Sequence, residues 1–470
     1  MYNEDSGASR REFLREVGTG VAGLWGISTL ELSHDPRPMQ SSCAPPGPLG
    51  TPVPFRRDCR PIRPRRAAAA LSTTEVTQLK AAYQAMRALD ASDPADPRGF
   101  TQQAHIHCYN CVDLGLVHGN WRFFAWHRAY LYFHERILGK LVGDENFRLP
   151  YWGWDSLQQR RLPSPYVTPN DASNPLFDGT RGMSPTDALP EEDVGATVMS
   201  GIFGIDNFPD FGGTAAFGGV PEGTPHGAVH VDVGGDMGTF ETAGFDPVFY
   251  AHHSNVDKVW SDWNKAAASH TNPVDAAFLN LSFTFYDENK VWRSIKASQV
   301  LDHENRLRYV YDPYRFWDRF ICLLWEVIQV DWRTARAISL SPALKRRLTE
   351  TVNRQSPVRL HLEGLDLPQD RSAIYRIYMD REDAQADRGP DSPGYLGSTS
   401  VVLNDRANRH PGHGARKVIL DVTQALPRLL QREGRLPLYL VERNAREARR
   451  VLPLTARDVF FSRGNPDRMR

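Results

Sequence analysis

The chain has 470 residues, with 56 Lys plus Arg against 56 Asp plus Glu, 41% hydrophobic and 10% aromatic residues. At roughly 150 residues per domain that is enough for two or three domains, and the composition is globular, not disordered, collagenous or coiled-coil. Zero formal net charge argues against a nucleic-acid clamp, which needs a basic excess to displace counterions, and no apolar run reaches the roughly 18 residues of a bilayer span.

The chain opens on Ser9-Arg10-Arg11-Glu12-Phe13-Leu14 and an uncharged stretch from Val17 to Leu30. That order is a twin-arginine export signal, so residues 1–40 are expected to send the protein to the periplasm or outside the cell. Twin-arginine export carries folded proteins, which hints at a cofactor-loaded enzyme. Residues 36–66, rich in Pro and Arg, read as an extended wrap at the start of a catalytic domain over 41–330. Ser72 and Glu75 form a capping-box pair ahead of Val76, Leu79, Tyr83, Met86 and Leu89 at helical spacing. A second helix runs from about Trp121 to Leu141, with His127 and His134 on the same face as Phe123, Tyr130, Leu131 and Ile137. Gly- and Pro-rich loops follow over 150–225. A third helix starts at Asp246-Pro247 and carries Phe249, His253, Val256, Trp260 and Trp263 on one face.

Residues 331–355 read as a linker. Beyond Gln355 the periodicity changes to two: Val358, Leu360 and Leu362; Tyr375, Ile377 and Met379; Val418, Leu420 and Val422; Leu436, Leu438 and Leu440. These are half-buried strands of a β-rich domain over 356–470. Cysteines 43, 59, 108, 111 and 322 suffice for one or two disulfides but not for a disulfide scaffold. Cys108-x-x-Cys111 lacks the second pair of a structural zinc site.

Nine of the 15 histidines lie between positions 105 and 253: His105, His107, His118, His127, His134, His226, His230, His252 and His253. A lone histidine is usually a satisfied core residue, but this clustering points to a metal centre. His226 and His230 are one helical turn apart, where two imidazoles can bind one ion, and His253 adds a third. His107, His118 and His127 form a second set. Six neutral imidazoles without a carboxylate favour copper or zinc over magnesium, calcium or facial-triad iron. Spacing leaves His134 competing with His127, and His252 with His253.

Several longer motifs then coincide. They are Phe100-Thr-Gln-Gln-Ala-His-Ile-His107-Cys, Phe124-Ala-Trp-His127-Arg-Ala-Tyr-Leu-Tyr-Phe-His134-Glu and Leu149-Pro-Tyr-Trp-Gly-Trp-Asp155. Further along come Pro225-His226-Gly-Ala-Val-His230, Asp246-Pro-Val-Phe-Tyr-Ala-His252-His253-Ser-Asn-Val-Asp257, Phe285-Tyr-Asp-Glu-Asn289 and Tyr309-Val-Tyr311. Over about 60–315 the chain resembles the type-3 copper polyphenol oxidases, tyrosinases and catechol oxidases, in their plant-type pattern, although the export signal looks bacterial. The resemblance implies a mainly α fold, a four-helix bundle holding two copper ions, followed by a β-rich domain that shields the site and keeps the enzyme latent until a protease acts. It assigns His107, His118 and His127 to the first copper and His226, His230 and His253 to the second, with His134 and His252 in support. Cys111 resembles the cysteine that forms a thioether to the second histidine, here His118. Cys43, Cys59 and Cys108 resemble the family's disulfide cysteines, but Asp58-Cys59 stands where plant enzymes have Cys-Cys, so at most one of two bridges is expected. Phe240 matches a gate residue over one copper, and Glu222 matches a glutamate that holds a water near the second, a candidate general base.

The implied activity is oxidation of o-diphenols to o-quinones by O2. Gly227 stands where many tyrosinases carry an asparagine that orients that water, so monophenol hydroxylation is expected to be weak or absent, and Val231 leaves room for a substituted ring. A tyrosinase with monophenolase activity and an o-aminophenol oxidase are the alternatives. A haemocyanin-like O2 carrier is the rival of another class, separated by access to the site, and a dinuclear zinc hydrolase is disfavoured for want of a carboxylate ligand. The expected partners are a small phenol, O2, a copper chaperone and an activating protease.

Overall fold

The computed structural model describes residues 43, 50–56, 58, 60–311, 324–328, 337–339, 345–346, 348–349, 358–365, 367–368, 371–402, 416–432, 435–443, 451–454, 456 and 458–465. The expected export signal, Cys59 and Cys322 lie outside the described residues. Among the described residues nine α-helices precede residue 270: α1 (Thr73–Ser92), α2 (Phe100–Cys108), α3 (Arg122–Leu141), α4 (Ser164–Val167), α5 (Glu191–Val194), α6 (Ala196–Phe203), α7 (Phe208–Phe211), α8 (Ala228–Val233) and α9 (Val248–Ala266). The frame of the site is α1, α2, α3 and α9, with α3 packed on both α1 and α9.

Local chemistry explains these helices. The Ser72 hydroxyl accepts from the Glu75 amide while the Glu75 carboxylate accepts from the Ser72 amide, satisfying two donors at the start of α1. Leu79, Ala82, Tyr83 and Met86 then bury one face. In α3 every residue from Phe123 to Glu135 is buried, as expected of a helix surrounded by protein rather than laid on its surface. Asp246 starts α9 by accepting from the Val248 amide at 2.8 Å, with Pro247 at the N-cap.

A buried charge network ties α3 to α9. Asp257 on α9 accepts from Arg128 on α3 at 2.5 Å, from Tyr309 at 2.6 Å and from Tyr311 at 2.5 Å. Arg65 joins Asp257 to Glu135, with its guanidinium 3.7 Å from the centre of the Tyr309 ring. Strands β1 (Val53–Pro54), β2 (Arg63–Arg65), β3 (Ser282–Tyr286), β4 (Trp292–Lys296) and β5 (Tyr309–Tyr311) surround the bundle, and β2 pairs with β5 in parallel, which delivers Arg65 to this network. Cys43 and Cys108 form a disulfide that pins the N-terminal wrap to the end of α2.

The rest of the chain is β-rich. Its strands are β6 (Leu324–Ile328), β7 (Ala337–Ser339), β8 (Val358–Leu365), β9 (Ala373–Tyr378), β10 (Tyr395–Val401), β11 (Arg416–Asp421), β12 (Arg435–Pro437), β13 (Tyr439–Glu442), β14 (Val451–Pro453) and β15 (Asp458–Asn465). Two antiparallel four-stranded sheets, β11-β8-β15-β6 and β10-β9-β13-β14, share one core. Leu360 pairs with Leu420 on one side and Phe461 on the other, so alternate residues point into that core. The expected boundary needs correction. β6 pairs with β15 and β7 with β12, so the β-rich part begins by Leu324, and the segment 331–355 read as a linker contributes a strand. Pairing partners more than 90 residues away are invisible to local periodicity. Among the described residues no helix is long and apolar enough to cross a membrane.

Candidate metal centre

Each element of the bundle delivers one or two histidines to the same place. His107 stands near the end of α2, and a π-helical turn, Tyr109–Asp113, carries Cys111 just beyond it. His118 follows in a loop and His127 lies in the first half of α3. His226 sits in a second π-helical turn, Glu222–Gly227, which runs into α8 with His230, and His253 is on α9. All six are buried.

They form two facing triads. Ring centres of His107, His118 and His127 are 5.2 to 5.7 Å apart, and those of His226, His230 and His253 are 4.6 to 5.4 Å apart. Across the gap His127 stacks on His253 at 4.2 Å and His118 on His226 at 5.7 Å.

The hydrogen bonds orient these rings. His107 Nδ1 donates to the Phe240 carbonyl at 3.0 Å, His127 to Phe123 at 2.8 Å, His226 to Glu222 at 2.9 Å and His230 to Met237 at 2.8 Å. His118 Nδ1 donates to the Glu222 carboxylate at 3.0 Å. A carbonyl can only accept, so the proton sits on Nδ1 and Nε2 keeps a lone pair. The Nε2 atoms of His107, His127 and His226 are buried with no hydrogen-bond partner, a condition that costs about 1–3 kcal/mol per group unless something binds there. His230 Nε2 lies 3.2 Å from His253 Nε2, close to the roughly 3.3 Å between two nitrogens that each sit about 2.0–2.1 Å from one tetrahedral ion. The residues therefore fit metal ions.

Electrostatics agree. Burial pushes His107, His127, His226 and His253 well below the ordinary imidazole value, with neighbouring imidazoles adding to the effect. His230 is pushed down to about 3, chiefly by burial. Neutral imidazoles are the ligand form. Neither histidine cluster contains a carboxylate among the described residues, which is nitrogen-rich chemistry suited to copper.

Hydrogen bonds bear on the competing histidines. His134 uses both ring nitrogens, with Gln103 at 3.1 Å and Tyr83 at 3.2 Å, and stacks on Tyr250 at 3.7 Å, so it has no lone pair for a metal. His252 accepts from Trp154 Nε1–H at 3.0 Å on its Nδ1, but its Nε2 is also buried without a hydrogen-bond partner, and it lies in one cluster with His226, His230 and His253, its ring 4.9 Å from that of His230. Phe240 stacks on His118 at 4.1 Å, and its carbonyl also holds His107. Glu222, expected to act as a general base, also orients histidine rings. Its Oε1 accepts from His118 Nδ1 and, at 2.7 Å, from the Gly119 amide, while its carbonyl holds His226. One residue thus orients a histidine in each triad. Cys111 lies in the same cluster as His107 and His118, and burial pushes its thiol well above the ordinary value. The carbonyls of Phe123 and Met237 were not anticipated, since a backbone acceptor leaves no mark in a sequence. Trp154 lies in Leu149-Pro-Tyr-Trp-Gly-Trp-Asp155, a motif that gives no sign of its bond to His252.

Residues 97–203 and 170–266 match the common central domain of tyrosinase, and residues 272–319 match the polyphenol oxidase middle domain. The chain is 36% identical over 262 residues to the latent polyphenol oxidase of Prunus armeniaca, covering 46% of this chain and 43% of that protein. To aureusidin synthase of Antirrhinum majus it is 32% identical over 308 residues, covering 54% and 50%. It therefore spans about half the length of the curated relatives it matches. Among solved structures, the polyphenol oxidase of Grenache grape (Vitis vinifera) is 31% identical with a TM-score of 0.53, covering 62% of this chain and 95% of that one. Latent apple tyrosinase is 25% identical with a TM-score of 0.65, covering 88% and 100%. A functional unit of octopus haemocyanin, 19% identical with a TM-score of 0.54 over 85% and 99%, shares the fold.

Proposed function

We propose, from the premise that the chain belongs to the type-3 copper polyphenol oxidase family, that it uses O2 to oxidise o-diphenols to o-quinones, with monophenol hydroxylation weak or absent. The observation that carries this reading is the pair of facing histidine triads, in which the Nε2 atoms of His107, His127 and His226 are buried without a hydrogen-bond partner, and no carboxylate joins either histidine cluster among the described residues. His107, His118 and His127 would hold one copper, and His226, His230 and His253 the other. When bound, the copper pair supplies reversible two-electron chemistry with O2. Two o-diphenols give up four electrons and four protons in all, and one O2 leaves as two waters.

The chain's own residues prepare the site for that exchange. Five carbonyl or carboxylate acceptors fix the rings so that little reorganisation is needed as charge moves. The aromatic walls of Phe123, Phe240 and Phe249 exclude water and suit a flat ring. Phe240, beside His118, is the gate in this reading. Gly227 supplies no side chain to orient a deprotonating water, which favours diphenols over monophenols. Three further assignments belong to the same reading: twin-arginine export through residues 1–40 with copper delivered by a chaperone, a thioether between Cys111 and His118, and a shielding role for the C-terminal domain that a protease relieves.

The test is oxygen uptake by the copper-loaded protein before and after limited proteolysis, with catechol and a p-substituted monophenol in parallel. Uptake with catechol alone, rising on cleavage, supports the reading. Uptake with both makes the protein a tyrosinase. No uptake with either, together with reversible O2 binding, moves it to the carrier class.

A further inference from the structure

Gly227 poses a question that its backbone does not answer. Its φ of −65° and ψ of −29° are ordinary right-handed values, open to any residue, and glycine there costs about 0.5–1 kcal/mol relative to alanine. The reason lies in space. A Cβ built on Gly227 would meet Ser400 Oγ at 2.3 Å, the Glu222 carbonyl oxygen at 3.2 Å and Val402 Cγ2 at 3.5 Å. Ser400 is fully buried, and its hydroxyl donates to the Gly223 carbonyl at 2.5 Å, so it cannot turn aside without losing that bond. Val402, just beyond β10, packs into the core of the helical part.

This is one of several contacts with the β-rich part along a single stretch. Ser372 Oγ donates to the Gly238 carbonyl at 2.5 Å, and Arg443 pairs with Asp232, Asp193 and Glu192. Between residues 222 and 240, the carbonyls of Glu222, Met237 and Phe240 orient His226, His230 and His107. The stretch is a rim, with histidines on its inner side and the β-rich part on its outer side.

We propose that Gly227 is the keying position of the C-terminal domain: a side chain at 227 and strand β10 in its seat exclude each other, so even a methyl group there releases β10 from the histidine-bearing rim. The consequence for latency rests on the reading of the protein as a shielded oxidase. The release itself does not.

The experiment uses the full chain as Gly227→Ala, Ser400→Ala and the double variant, read by hydrogen exchange over β10 and by the rate of limited proteolysis. Catechol oxidation without added protease is followed in parallel. Gly227→Ala is expected to raise β10 exchange and cleavage by roughly tenfold, as for a methyl forced into a packed site. In the double variant the nearer obstructing oxygen is gone and only the 3.2 Å approach to the Glu222 carbonyl remains, so most of the protection is expected to return. Unchanged protection in Gly227→Ala overturns the proposal, as does a double variant no better protected than the single one. If no variant oxidises catechol even after cleavage, the oxidase reading falls, while the exchange data still judge the role of Gly227.

Discussion

Replacing Glu222 with alanine separates two roles for this residue. Glu222 Oε1 accepts from His118 Nδ1 at 3.0 Å and from the Gly119 amide at 2.7 Å, whereas the bond that holds His226 goes to its backbone carbonyl. Alanine removes the first two and keeps the third. Loss of such an orienting partner costs about 10–100-fold in metal affinity, or about 1.4–2.7 kcal/mol at 1.36 kcal/mol per factor of ten. The loss should fall on the triad containing His118, so Glu222→Ala is expected to retain one copper normally and bind the other weakly. Glu222→Gln keeps an amide oxygen in place and should lie between alanine and wild type. Calorimetric copper titration of the apoprotein, with metal content measured after dialysis, reads this directly. Two tightly bound coppers in Glu222→Ala together with lost activity would refute the argument and return Glu222 to the role of base.

Other expectations follow from the same geometry. Asp257→Ala leaves Arg128 and Arg65 buried without their shared carboxylate and should cost about 3–5 kcal/mol in urea unfolding; a loss under 1 kcal/mol would show the clamp to be idle. Burial holds His303 down to about 3, below the ordinary value near 6.5. Its contribution to stability is therefore complete above about pH 6.5 and is lost as the pH falls towards 3, because the unfolded chain takes up the proton first. His303→Gln should flatten the urea midpoint against pH across that window. Reduction of Cys43–Cys108, which spans 65 residues, is expected to cost about 4 kcal/mol on the loop-entropy scale, visible as a lower melting temperature in reductant. Phe240→Ala removes the ring stacked on His118 and should raise KM for catechol more than it lowers kcat, measured on cleaved enzyme.

The helices were legible because their signals are local. The Ser72 and Glu75 cap, the buried faces of α1 and α9 and the period-two strands of the C-terminal part all depend on neighbours within about one turn or one strand. The start of the β-rich part was misplaced because β6 and β7 are defined by β15 and β12, far along the chain.

The sequence by itself showed the donor chemistry on offer: nine clustered histidines with no obvious carboxylate ligand, in motifs that carry the family resemblance. What each histidine bonds to, only the tertiary structure decided. His134 and His252 share helices with His127 and His253, and no spacing rule separates them. Their partners arrive from other elements: Gln103 and Tyr83 occupy both ring nitrogens of His134, and Trp154 occupies one nitrogen of His252. The same holds for Glu222, whose side chain is directed by a loop about a hundred residues earlier, and for Gly227, whose lack of a side chain is matched to Ser400. A residue's type sets which bonds it can make, and the packing of distant segments sets which of those bonds form.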